Sequence, residues 1–155
     1  MANKEKKFLV VSLQRLSHRL YKKHVPVLPR LVFLMNRLLC GCCIPPEVEL
    51  GEGVQIAHNG LGVVIHDKCV IGKGTAIQAN VVLGGSNGRP GPKIGDNCYI
   101  GAGAVVIGDI TVGNDAIIGA NAVVNKDVPE GVVVAGVPAK IIKKVGEDQI
   151  GVPKR

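Results

Sequence analysis

Two histidines, a glycine-rich insertion and a cluster of three cysteines are the groups in this 155-residue chain whose types and spacing suit chemistry. His58 stands in the segment Ala57-His58-Asn59-Gly60, and His66 follows shortly after it. An imidazole with an unperturbed pKa near ~6.5 is mostly neutral at pH 7 and can accept a proton from a hydroxyl. On residue type alone, however, a single corner histidine is most simply a surface residue. The glycine-rich run is Gly84-Gly85-Ser86-Asn87-Gly88-Arg89-Pro90-Gly91-Pro92-Lys93. Cys40, Cys42 and Cys43 form a C-x-C-C group, but no second cluster completes the four ligands of a zinc site. No metal is expected, and free thiols in a reducing compartment are the simpler reading.

What must position these groups is set by a strict six-residue period. Ile94, Ile100, Val106, Val112, Ile118 and Val124 form the longest set, preceded by Ile65, Ile71, Ile77 and Leu83 and by Ile44, Leu50 and Ile56. A helix repeats near ~3.6 residues and a half-buried strand near ~2, so neither explains a six. Hexapeptide repeats mark a parallel β-helix whose rungs each send one aliphatic side chain inward. A second register, four residues later, holds Val54, Cys69, Thr75, Val81, Cys98, Ala104, Ile110, Ala116, Ala122 and Val128. Cys69 and Cys98 are therefore read as packing residues. Glycine often follows the aliphatic residue, as at Gly51, Gly72, Gly84, Gly95, Gly101, Gly113 and Gly119, and is expected to ease the corners. About five coils stacked at roughly 4.8 Å result.

The period is broken twice. The step from Ile56 to Ile65 inserts residues around His58, and the step from Leu83 to Ile94 inserts the glycine-rich run. A stack accommodates insertions only at corners, where they protrude and commonly carry function. His58 and the second loop lie about a coil and a half apart, which allows them to converge on one cleft.

Ahead of the solenoid the charge is one-sided. Residues 1–40 hold nine Lys or Arg against Glu5 alone, a net of +8, whereas the rest hold ten basic and eleven acidic groups. Two amphipathic helices are expected, one with Leu9, Leu13, Leu16 and Leu20 on a face, the other with Leu28, Leu31, Val32, Met35, Leu38 and Leu39. They cap the first coil or pack on a neighbouring subunit; the sharper alternative is contact with an anionic membrane surface. The apolar run from Val25 to Cys40 is too short and interrupted to span a bilayer, and no secretory signal is evident, so a cytoplasmic protein is expected, with peripheral contact at the inner membrane face as the second reading. Nucleic-acid binding is disfavoured by the scarcity of stacking aromatics. The expected organisation is a helical prefix at 1–40, a β-helix at 41–142 and a tail at 143–155.

The runs AHNGLGVVI, VVLGG with its glycine-rich loop, PKIGDNCYIGAGAVVIGDITVGNDAIIGANAVV and DVPEGVVVAGVPAK resemble the hexapeptide-repeat acyltransferases. The closest pattern is the serine acetyltransferase branch together with the capsule or colanic-acid O-acetyltransferases similar to it. The resemblance covers about residues 44–142. It implies an all-β solenoid wound as a left-handed parallel β-helix, a homotrimer, acetyl-CoA as donor, and active sites between subunits. By the same resemblance His58 is the general base, and Gly85 offers its N–H to the thioester oxygen. Gly85, Ser86, Ala102, Ala120 and Lys140 would line the path of coenzyme A, with Lys140 near its phosphates.

This chain departs from the serine acetyltransferase pattern at four positions. Cys43 stands where that branch has an aspartate orienting the histidine, and Ala57 replaces a second acid. Gly91 and Pro90 replace a serine-binding histidine and its preceding arginine; Arg89, two places away, is the one nearby substitute. Glu47, Glu49 or a backbone carbonyl would have to orient His58 instead. A sugar hydroxyl in surface-polysaccharide assembly is accordingly the expected acceptor, with serine O-acetylation as the alternative. A silent β-helix scaffold is the non-enzymatic alternative, and a β-helical zinc enzyme would need three histidines where the repeats hold only His58 and His66. Because His58, Gly85 and Lys140 all lie downstream, residues 1–24 are expected to be dispensable for turnover. His66 has no assigned role.

Overall fold

The computed structural model describes residues 9–146. Two helices, α1 (Leu9–Lys22) and α2 (Leu28–Cys40), lead into fourteen short strands numbered in chain order. The first face of the solenoid carries β1 (Glu49–Leu50), β4 (Val70–Ile71), β7 (Lys93–Ile94) and β10 (Thr111–Val112). The second carries β2 (Gln55–Ile56), β5 (Ala76–Ile77), β8 (Tyr99–Ile100), β11 (Ile117–Ile118), β13 (Val132–Ala135) and β14 (Lys140–Lys144). The third carries β3 (Val64–Ile65), β6 (Val82–Gly84), β9 (Val105–Ile107) and β12 (Val123–Val124).

Pairing is parallel and in register from coil to coil, as at Ile56 against Ile77, Ile77 against Ile100, and Ile100 against Ile118. The period-six reading thus gives the parallel β-helix directly. Every aliphatic residue of that register is buried except Leu50, which is half-buried at the first coil. Among the described coils Thr75 is the one buried polar side chain. Its hydroxyl donates to Gly95 O at 2.9 Å and accepts from Cys98 N–H at 3.1 Å, so its burial leaves no unpaired group. The one departure from parallel pairing is the last hairpin, where β14 runs antiparallel to β13 and ends the stack.

The glycines after the inward residues have a different cause from the one expected. Left-handed backbone falls elsewhere, at Asn80, Asn97, Asp115 and Asn121 among others. At Gly51 a Cβ would stand 2.6 Å from Lys73 N of the next coil, and similar backbone contacts face Gly95, Gly101 and Gly113. Stacking, rather than dihedral freedom, excludes a side chain there.

The helices also bury other faces than their leucines suggest. On α1 the buried residues are Val10, Val11, Gln14 and Ser17; on α2 they are Pro29, Val32, Asn36 and Cys40. Gln14 Nε2 donates to Val48 O at 2.8 Å, and Asn36 Nδ2 donates to Val10 O at 3.1 Å. Ser17 Oγ donates to Pro29 O at 2.6 Å. Gln14 and Arg15 thus reach carbonyls of the first coil, Val48 O and Gly51 O, while Ser17 and Asn36 tie the two helices to each other. Leu28, Leu31, Leu34, Met35, Leu38 and Leu39 face outward instead, Leu38 being 85% exposed.

Candidate functional site

His58 lies in a single 3-10 turn, Ala57–Gly60, on the edge where the second face passes to the third. Both His58 (φ 50°) and Asn59 (φ 56°) are left-handed, a conformation that short polar and imidazole side chains adopt more readily than β-branched ones. The ring is exposed, and no side chain of the described residues hydrogen-bonds to it. Glu49 is occupied by Lys22 at 3.4 Å, and neither it nor Glu47 bonds to His58. The backbone alone sets where this imidazole points.

Farther along the same edge stand Ala79, Ala102 and Ala120. Asn80 N–H donates to Leu61 O, Gly103 N–H to Ala79 O, and Asn121 N–H to Ala102 O, so these corners stack directly. Gly136 and Ala139 sit over the start of the third face through hydrogen bonds with Val123, and Lys140 follows them, exposed. His58, Ala102, Ala120 and Lys140 therefore share one edge, with small side chains between the imidazole and the ammonium. From β2 to β14 the span is five strand spacings, ~24 Å.

Gly85 and Ser86 are elsewhere. Their loop leaves β6 and returns at β7, on the edge between the third and first faces. Within one chain the two insertions do not converge; they flank opposite edges of the third face. The loop folds on a tight turn, with Ser86 O accepting Arg89 N–H at 2.9 Å around left-handed Asn87 and Gly88. It lies on His66, which the sequence left without a role. A Cβ on Gly85 would collide with Arg89 O and stand 3.0 Å from His66 Nε2; one on Gly91 would strike Cys69 Sγ. His66 Nδ1 lies 2.9 Å from Asp67 Oδ1, which holds the ring with Nε2 toward the loop. The Gly85 N–H makes no hydrogen bond with the described residues. What would have pointed to His66 is its position one coil before the loop on the same corner.

The cysteines do not assemble a metal centre: among the described residues no three His, Cys, Asp or Glu side chains are placed to hold an ion. Cys40, Cys42, Cys69 and Cys98 are buried, and Cys43 is half-buried. Burial pushes the Cys42 thiol up to about 11 and Cys69 up to about 12. Both stay protonated at neutral pH, which suits packing and opposes nucleophilic use. Because these pKa values are raised in the fold, their contribution to stability is whole below about pH 9 and declines as pH rises toward 11–12. Cys43 is held in the rung by its own N–H to Val63 O and by Ile65 N–H to its carbonyl. In native protein at pH 8 a thiol reagent should label Cys43 first and the other four only on unfolding. Cys43→Ser should keep most activity, and an acetylated Cys43 peptide after incubation with acetyl-CoA would make it an acyl carrier instead.

Among the described residues no helix is long and apolar enough to cross a membrane. Residues 91–126 match the bacterial transferase hexapeptide family (six repeats). Over 142 residues the chain is 39% identical to a serine acetyltransferase of Synechococcus elongatus, covering 90% of this chain and 58% of that one. The serine acetyltransferase of Neisseria gonorrhoeae in complex with serine superposes with a TM-score of 0.80 at 39% identity, covering 84% of this chain and 54% of that chain. That of Brucella abortus in complex with coenzyme A gives 0.84 at 35% identity, covering 88% and 55%. The chain thus spans little more than half the length of the relatives it matches. These likenesses overturn the expected sugar acceptor. The departures read at Cys43, Ala57, Pro90 and Gly91 are four positions, set against 39% identity over 142 residues.

Proposed function

We propose that this chain, a hexapeptide-repeat protein of the serine-acetyltransferase-like branch, transfers acetyl from acetyl-CoA to the hydroxyl of serine. The observation that carries the reading is the single edge holding His58, Ala102, Ala120 and Lys140. Small side chains leave room for an extended pantetheine between an imidazole at one end and an ammonium at the other, where phosphates would be attracted.

In this mechanism His58 takes the proton of the serine hydroxyl as its oxygen attacks the thioester carbonyl. The carbonyl oxygen becomes an oxyanion that the free N–H of Gly85 stabilises, with Ser86 beside it. Collapse of the tetrahedral intermediate expels the coenzyme A thiolate, which recovers the proton from the imidazolium. Arg89, exposed in the loop, and His66 beneath it are the groups available to receive an amino-acid carboxylate.

His58 and Gly85 flank opposite edges of one face, so a complete site needs a second copy to bring its loop edge against the histidine edge of the first. Cyclic repetition of that contact supports a homotrimer. Peripheral contact with an anionic membrane is supported by the outward leucines of α2, beside which Arg30 and Arg37 lie exposed. Sedimentation with anionic but not zwitterionic vesicles is the expected result.

Release of thiol from acetyl-CoA against L-serine, other hydroxy amino acids and nucleotide sugars tests the acceptor. Turnover should appear with L-serine; turnover confined to the sugars would overturn the reading. Light scattering should give a trimer, and an active monomer would refute the shared site.

A further inference from the structure

We propose that Asn59 is a positioning residue, which ties the first turn of α1 to the corner that projects His58. The inference rests on the reading of His58 as the general base. Asn59 Oδ1 accepts the N–H of Val10 at 3.3 Å, across 49 residues of sequence. That N–H lies near the start of the described part of α1. The solenoid side chain thus holds the helix backbone, and the helix in turn holds the side chain of the residue next to His58.

The fit is close on the other side as well. Gly60 is left-handed at φ 82°, and a Cβ there would stand 2.8 Å from Val10 Cγ2 and 3.4 Å from Cys42 Cβ. Val10 is fully buried. The helix that carries it is fixed to the first coil by Gln14 to Val48 O, Arg15 to Gly51 O and His18 to Pro46 O, the last at 2.7 Å. Below the corner, Leu61 N–H returns to His58 O and Val63 N–H to Gly60 O.

This anchoring is needed because the corner is strained and its imidazole is otherwise unsupported. Consecutive left-handed residues other than glycine cost free energy and persist where their surroundings over-determine them. With no side chain bonded to the ring, loss of the Asn59 contact lets the backbone at His58 relax and the imidazole swing from its line of approach. Helix α1 is thus part of the catalytic support. This reverses the expectation that residues 1–24 are dispensable for turnover.

The test compares Asn59→Ala, Asn59→Asp and His58→Ala with the unaltered chain, using acetyl-CoA and L-serine. Asn59→Ala should lower kcat about 10- to 100-fold, as misplacement of a reacting group does, with the KM for each substrate little changed. Asn59→Asp keeps an acceptor oxygen for Val10 N–H and should recover most of kcat. An Asn59→Ala variant with unchanged kcat, while His58→Ala is impaired, would overturn the proposal alone. Equal kcat losses in Asn59→Ala and Asn59→Asp, in step with falling thermal stability, would reduce Asn59 to a structural residue and also overturn it. If His58→Ala itself kept full kcat, the general-base reading beneath the proposal would fall.

Discussion

His58→Ala is expected to lower kcat with acetyl-CoA and L-serine by about 10²–10⁴, the range for loss of a general base. The fold should be untouched, since the ring is exposed and makes no hydrogen bond with the described residues. KM for acetyl-CoA should change little, because the imidazole acts on the acceptor hydroxyl rather than on the donor. Circular dichroism and the oligomeric state provide the controls. A folded variant with unaltered kcat would remove His58 from the mechanism and leave the alanine-lined edge as a binding feature without a base.

Gly85→Val should be nearly as damaging for a different reason. The new side chain would meet Arg89 O and His66 Nε2, so the loop must lift from its seat on the third-to-first edge. The free N–H then no longer lies where the oxyanion forms, and loss of one such donor costs about 10²–10³ in kcat. The strand ladder should survive, because Gly85 lies outside the paired rungs, and β6 remains bonded to β3 and β9 through Val82, Leu83 and Gly84. Measurement of kcat on the folded variant decides the matter. Unchanged turnover would mean that the loop carries no oxyanion contact.

The two expectations differ in how far they were legible in the chain. His58 and Gly85 are both marked by interruptions of the six-residue period, and a reader of the sequence alone finds both loops. Their relation is another matter. One insertion follows β2 and the other follows β6, so counting coils gives their separation along the axis but not the edge each occupies. The triangular winding is what puts them on opposite edges of the third face.

The two helices of the prefix are legible in the sequence, but the faces they bury are not. Hydrophobic periodicity places leucines inward by default, yet the loops that α1 covers present carbonyl oxygens. Gln14 answers Val48 O and Arg15 answers Gly51 O, while Leu9 and Leu16 stay exposed. The acceptor was misjudged because four substituted positions were weighed without the rest of the chain. His66 lies on the corner that the loop occupies one coil later, a relation carried by the coil period but marked by no local motif.

What the sequence by itself determined is the solenoid. An inward aliphatic residue every six positions, with a small or branched one four later, leaves a stacked parallel coil as the arrangement that buries them all, from Ile44 to Val134. The period also fixes where loops can emerge. Tertiary structure alone decided which edge each loop occupies, that His66 underlies Gly85, and that Val10 of α1 clamps Asn59 beside His58. The physical reason is that a repeat is encoded by neighbours close along the chain, whereas those contacts join groups that only winding and helix docking bring together.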